Sequence, residues 1–477
     1  MPQSIFLALY QRVGGGSLSS SPSESQIIRI WNHQLLDKTN FVTEEGEPIE
    51  VIYPGRINDD QGADFRDAVV ATSRGLIKGD IEVHVRSSGW QEHGHHRNAV
   101  YNRVILHVAM WHNSKTATTL QNGRKIPILT LHKYIKIPVS QWFDWLCSTS
   151  ILEIPCFKIK QRLTTGNIAG LLDRAGEKRF LAKAAKFRTD LTRMGASQTL
   201  YQGIMGALGY SKNKLSMLKL APRLPLQTLE SIAQCRISDE DCLTRQQALL
   251  LGTAGLLPSQ RLDGHQENEL EDKWIDKLEK LWAVSRNTRA MSHDDRHLFK
   301  VRPNNSPIRR LVAMSYLVLR YRKKGILEAL VNLVNEVPVR QGYRRLEKGL
   351  LVITGDYWAS HLDFGSSSRL GNPTLLGSGR AADITVNMLL PFTFAWSQFT
   401  SQPELERKAF DLYCHYPKLA VNSIERHMIA QLGISSSFVS SARQQQGLIH
   451  IYNTLCTQGR CEDCSLSQLK VGQHVQV

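Results

Sequence analysis

The stretch Gly79–Arg86 (GDIEVHVR) leaves this chain little choice of local fold. A strand sends successive side chains to opposite faces, so Ile81, Val83 and Val85 share one side while Asp80, Glu82, His84 and Arg86 share the other. One side is built to pack; the other carries an acid two residues from a histidine. Upstream, Asp64 opens a second β-forming run, Phe65–Ala71. The segment joining the two runs, Thr72–Lys78, is short enough for an antiparallel pair, which places Asp64 beside Glu82. Two carboxylates on neighbouring strands suit a hard divalent cation, Mg²⁺ or Mn²⁺, that keeps bound water. His84 is then placed to orient that water or accept its proton.

The flanking pattern completes a small architecture. An amphipathic helix is expected over Glu24–Leu36, with Ile27, Ile28, Ile30, Trp31 and Leu35 as its apolar stripe. Residues 41–57 read as a short hairpin. After Trp90 a helix is expected over His93–Asn102, then a strand over Arg103–Trp111, a hairpin through Asn122-Gly123, and a strand over Ile126–His132. The fold class is therefore α+β: an N-terminal mixed sheet flanked by helices.

Helix, strands, helix, strand, with Asp64 heading one strand and Glu82-x-His84 in the next, resembles the core of the PD-(D/E)XK nuclease superfamily. The resemblance implies that Asp64 and Glu82 are its metal-binding acids, that Glu24 is an additional acid carried on the leading helix, and that His84 stands at the position of its lysine. Lysine supplies a fixed positive charge, and histidine supplies one only when protonated. Over nearly its whole length the chain is also similar to a bacterial family of unknown function, DUF2851. The segments that carry this similarity are PGRINDDQGADFRDA (54–68), GDIEVHVRSSGWQEHGHH (79–96), YNRVILHV (101–108) and the terminal QGLIHIYNTLC-x4-C-x2-C.

Other residues near the acids have several readings. His93, His95 and His96 fit phosphate gripping or proton transfer, a zinc site shared with His84 or His107, or a surface loop. Trp90 fits either a base-stacking platform or the core, and Arg86, on the polar face of its strand, is a candidate nucleic-acid contact. His107 alternates with Ile105 and Ala109 and reads as a core histidine.

The formal net charge of +16 and pI near 9.5 favour polyanionic partners, nucleic acid first. A basic helix follows at Gly166–Met194, where Arg174, Lys178, Lys183 and Lys186 are positioned to track a phosphate backbone without reading bases. No apolar run approaches the roughly 20 residues of a membrane helix, so no membrane partner is expected and the cytoplasm is the default location. Neither G-x-x-x-x-G-K-[ST] nor G-x-G-x-x-G occurs, so a nucleotide cofactor is not expected; nor does the G-x-S-x-G of a serine hydrolase.

Three regions are expected: 1–138, holding the acidic motif; 139–400, helical with a basic surface; and 401–477, helical and ending in Cys456-x4-Cys461-x2-Cys464. Eight cysteines in a chain this long do not make a disulfide framework. The terminal trio suits zinc or an iron–sulfur cluster, with Cys414 or His415 as the fourth ligand. Cys147, Cys156, Cys235 and Cys242 read as buried packing residues. The leading expectation is a metal-dependent nuclease. Two others stay open, a non-catalytic nucleic-acid-binding protein on the same fold and a protein-interaction scaffold; oligomeric state is not legible.

Overall fold

The structure is a computed structural model. It describes residues 22–34, 36, 40–135, 156, 165–261, 273–285, 289–292, 295, 305–367, 371 and 373–468. Cys147, which the sequence reads as a packing residue, lies outside them. Chain contacts divide the molecule into two compact units. The first comprises residues 1–171, 421–438 and 448–477; the second comprises residues 172–420 and 439–447.

The first unit is built on a mixed sheet. Helix α1 (Glu24–His33) starts where the Gln26 side chain accepts a hydrogen bond from Ser23 N at 2.8 Å. It ends when Gln34 enters the left-handed region at φ 51°, three residues before the expected Leu36. Ile27, Ile30 and Trp31 are fully buried, and α1 rests on β5 (Gly75–Arg86). The other strands are β1 (Phe41–Val42), β2 (Pro48–Tyr53), β3 (Arg56–Ile57), β4 (Phe65–Thr72), β6 (Val104–Trp111) and β7 (Ile128–Thr130). They lie in the order β1-β2-β4-β5-β6-β7, with β3 beside β4. The first four of that path pair antiparallel, whereas β5, β6 and β7 run parallel.

Strand β5 begins at Gly75, earlier than the alternation at 79–86 suggests, because Leu76–Lys78 continue the ladder opposite Val69–Ala71. Gly79 sits mid-strand at a point where any Cβ would collide with the backbone oxygen of Arg103. Between β5 and β6 the chain makes the crossover that parallel strands require. It consists of helix α2 (Gly89–Glu92) and two 3₁₀ turns, His95–Arg97 and Ala99–Tyr101, in place of the single helix expected over 93–102. Gly94, at φ 72°, is the break. Strand β6, flanked by β5 and β7, is buried at seven of eight positions, as a doubly covered parallel strand should be. The Asn122-Gly123 turn closes only a local bridge, Thr119 to Lys125. The expected hairpin between β6 and β7 is thus replaced by a parallel pair.

The second unit is helical. Its core includes Phe180, Leu200, Ile204, Leu251, Leu311, Leu330, Leu346, Leu389 and Leu412. The long helix Thr165–Met194 enters it from Leu172 onward. Apolar periodicity alone puts buried helices over 246–257 and 308–334; the structure instead has Asp239–Thr253, and it divides the second run into Pro307–Arg320 and Ile326–Glu336 at the turn after Arg320. Among the described residues no helix is long and apolar enough to cross a membrane.

Candidate functional site

Register delivers the acids to each other. Phe65 pairs with Ile81 across β4 and β5, so Asp64 and Glu82 lie next to one another at the end of that ladder. They clasp reciprocally: Asp64 N donates to Glu82 Oε2 at 3.1 Å, and Val83 N donates to Asp64 Oδ2 at 2.9 Å. Each carboxylate keeps an oxygen outside this clasp. Burial, then the charges of Glu82 and Glu24, push Asp64 up to about 7. Burial and then Glu24 push Glu82 up to about 8, against the Asp64 amide and Arg66, which act the other way. Glu24, half-buried at the head of α1, therefore belongs electrostatically to the same group.

Asp80 is drawn away from this set. It is fully buried, with Arg66 Nη1 at 2.8 Å from Oδ2 and the Asp67 amide at 3.2 Å from Oδ1. Arg66, the cation that acts on Glu82, is therefore already paired.

Four imidazoles line the other side. Glu82 Oε1 lies 3.0 Å from His95 Nε2 and 3.8 Å from His84 Nε2. His84 Nε2 is 3.2 Å from His93 Nδ1, and His84 Nδ1 is 2.9 Å from His107 Nε2. His107 Nδ1 reaches Thr118 Oγ1 at 3.0 Å. His84, His93 and His95 each turn a ring nitrogen toward a common point, all within 4.8 Å of one another. His93 is exposed, so the cluster opens to solvent there, while His84 and His95 are buried. Burial, followed by the neighbouring imidazoles, depresses His84 to about 2 and His107 to about 3. His95 is also lowered, chiefly by burial. His84 is consequently neutral at physiological pH and does not reproduce a lysine's charge. The close approach of Glu82 to His95 near neutrality is that of a carboxyl and a neutral ring, not of an ion pair.

The remaining residues of this region frame the cluster. Gly89 lets the chain close over His84, since a Cβ there would sit 2.7 Å from His84 Cδ2. Tyr101 stacks on His95 with ring centroids 3.9 Å apart. Its hydroxyl is raised to about 12, by burial and then by Glu82 and Asp64. Trp90, 1% exposed, packs against His95 and His107 and donates to Thr119 O at 3.0 Å; it is a wall of the site and has no open face for a base. His96 is half-buried and outside the cluster, and Arg86 is exposed at the end of β5. Among these residues sequence reasoning understated His107, whose role depends on the parallel β5–β6 register that sets Glu82 opposite it.

In the second unit, Arg174, Lys178 and Lys186 are exposed on the long helix. Asp173 and Glu177 are engaged by Arg443 at 3.0 and 2.9 Å, which leaves that surface basic. Lys183 differs from the other three. Burial lowers it, and its Nζ contacts Asn387 Oδ1 at 2.5 Å and Gln446 Oε1 at 3.2 Å, so it is a packing residue. Cys414 also belongs to this unit, beside Arg443 and Glu177. Among the described residues, Cys156, which the sequence reads as a packing residue, lies within electrostatic reach of Cys456, Cys461 and Cys464.

A family model described as a protein of unknown function, DUF2851, matches residues 24–419. The chain belongs to the DUF2851 family. No curated protein and no solved structure matches it. In this DUF2851 chain the matched span contains every acid and histidine of the cluster, so the site lies wholly within the region that defines membership.

Proposed function

We propose that the first unit is a divalent-metal-dependent nuclease, hydrolysing phosphodiester bonds in DNA or RNA, of the PD-(D/E)XK type. The observation that carries the reading is the interlocked pair of half-buried Asp64 and buried Glu82, within electrostatic reach of Glu24 and beside an imidazole cluster. Carboxylates raised to about 7 and 8 are unstable in company unless they share protons or receive a cation, so the donor set fits a divalent ion. Asp64, Glu82 and Glu24 would hold it. The imidazoles of His84, His93 and His95 alongside favour Mn²⁺ over Mg²⁺. Such an ion, when bound, acidifies a water and neutralises charge on a phosphate oxygen.

The chain's own residues set the geometry for this. The Asp64 and Val83 amides fix one oxygen of each carboxylate, so the other oxygen of each would be the one to hold the metal. The Thr118–His107–His84 relay holds His84 in one orientation, with Nε2 toward Glu82, where it positions a water by hydrogen bonding. Trp90 and Tyr101 exclude bulk solvent from the inner side. The net charge of +16, with exposed Arg174, Lys178 and Lys186, supports nucleic acid as the polyanion.

The test is incubation of the full chain with single- and double-stranded DNA and RNA in Mn²⁺ or Mg²⁺, beside an Asp64→Ala/Glu82→Ala variant. Cleavage that the variant lacks is the expected result; equal cleavage by both sinks the reading. The neutrality of His84 favours one second reading, a nucleic-acid-binding protein that has lost hydrolysis. It requires binding without any divalent ion, falling steeply with salt, and no cleavage under any of these conditions.

A further inference from the structure

Cys456, Cys461 and Cys464 close the described chain, and the fold supplies them with a partner some three hundred residues earlier. Cys156, Cys456 and Cys464 are buried, at 4, 5 and 4% exposure, and Cys461 is half-buried. Gln431, on the helix Ser423–Leu432, is itself 3% exposed and turns its Nε2 toward two sulfurs, 3.5 Å from Cys156 Sγ and 3.9 Å from Cys456 Sγ. Cys456 lies within electrostatic reach of Cys156, Cys464 and Cys461, and Cys156 within reach of Cys461 and Cys464. All four belong to the first unit.

The local backbone is shaped to gather them. Cys456 opens a 3₁₀ turn, Cys456–Gln458, and Gly459 at φ 69° reverses the chain. Cys464 N then donates to Cys461 O at 3.2 Å, a tight turn that brings the two ends of the C-x2-C together. None of the four is joined in a disulfide. An amide N–H aimed at two sulfurs is a donor arrangement suited to metal-bound thiolates, whose ligand atoms commonly receive such hydrogen bonds.

We propose that Cys156, Cys456, Cys461 and Cys464 form a four-thiolate metal centre, holding a zinc ion or an iron–sulfur cluster. The centre pins the C-terminal turn against the sheet. A Cβ at Gly459 would lie 3.0 Å from Val69 and 3.3 Å from Ile52, and Lys78 Nζ reaches Gln458 Oε1 at 2.5 Å. Just before the turn, Tyr452 donates to Asp67 at 2.9 Å, and Asp67 gives its own amide to Asp80. The centre therefore buttresses strands β4 and β5 while standing apart from the acidic cluster's chemistry.

The experiment is metal and acid-labile sulfide analysis of the full chain purified under nitrogen. About one zinc, or about four irons with matching sulfide and absorption near 400 nm, is expected per chain. Either result bears the proposal out and says which group is held. Cys156→Ser and Cys461→Ser should each lower occupancy at least fivefold, and Cys414→Ser should leave it unchanged. Should the serine variants fail to fold, a mercurial titration of the wild-type chain replaces them: metal release should track modification of four thiols. A wild-type chain free of both metals, disulfides among the four, metal surviving Cys156→Ser, or release that tracks other thiols overturns the proposal. Metal content is read without nucleic acid, so this failure is distinct from a failure of the nuclease reading.

Discussion

Replacing Glu82 with glutamine should stabilise the metal-free protein, and more so as pH rises. In the folded chain burial keeps the Glu82 proton in place to about pH 8, whereas an unfolded chain releases it near the ordinary glutamate value of 4.5. Between those limits the native state binds more protons than the unfolded one, so wild-type stability falls as pH increases. At ~1.4 kcal/mol per pH unit the penalty approaches ~4–5 kcal/mol at pH 8 as a ceiling, and relaxation or water entry brings it to ~2–4 kcal/mol. Glutamine keeps a carbonyl oxygen to accept the Asp64 amide and carries no such penalty. Urea unfolding in EDTA from pH 5 to 8.5, with hydrogen exchange of the β5 amides to isolate the first unit, measures the difference. Glu82→Gln should match wild type near pH 5 and exceed it by pH 8, and Mn²⁺ should reverse that order by stabilising only wild type. A variant less stable than wild type at pH 8 in EDTA, or a difference flat across the range, refutes the account of Glu82 as a carboxylate kept at a cost for ligation.

The same protons must leave when a cation arrives, so Mn²⁺ affinity should rise with pH from about 6 and level off above about 8. Calorimetry in buffers of different ionisation enthalpy should show proton release at pH 7, and pH-independent affinity would contradict the raised Asp64 and Glu82. Gly89→Ala puts a methyl group 2.7 Å from the His84 ring and should displace it at a cost of ~1–3 kcal/mol, weakening Mn²⁺ binding; an unchanged melting temperature and affinity would show that the α2 backbone yields freely.

What the sequence made legible was what short-range pairing decides. Asp64 and Glu82 are eighteen positions apart in one hairpin, and alternation with a tight turn is enough to set them side by side. The acids' partners are fixed by longer paths. Nothing local announces that Arg66 claims Asp80, or that the β5–β6 crossover sets His107 behind His84. The Asn122-Gly123 turn misled for a related reason: its local hairpin forms, but spans too few residues to decide how β6 meets β7. Cys414 and Cys156 make the point most sharply. Proximity in sequence favours Cys414, yet it belongs to the other compact unit, and the thiol within electrostatic reach of the trio, Cys156, comes from before the long helix.

Burial carries the further consequence that residue type alone did not decide the chemistry of His84. An exposed histidine in a lysine's place would be a switch, charged below about pH 6.5 and neutral above it. Packed beneath Gly89 and hydrogen-bonded to His107, it is neutral across the working range and behaves as a fixed dipole and lone pair. Arg66, the cation that acts on Glu82, is itself paired with Asp80. On the proposed nuclease reading, histidine in the lysine position and the gathering of His93 and His95 are parts of one arrangement. A fixed charge would be withdrawn and imidazole donors added, so the proposed site would depend the more on a bound cation. A His84→Lys exchange would not simply restore the resemblance: the ammonium would enter a buried cluster shaped for neutral rings, and its desolvation would have to be met by the same carboxylates that the cation needs.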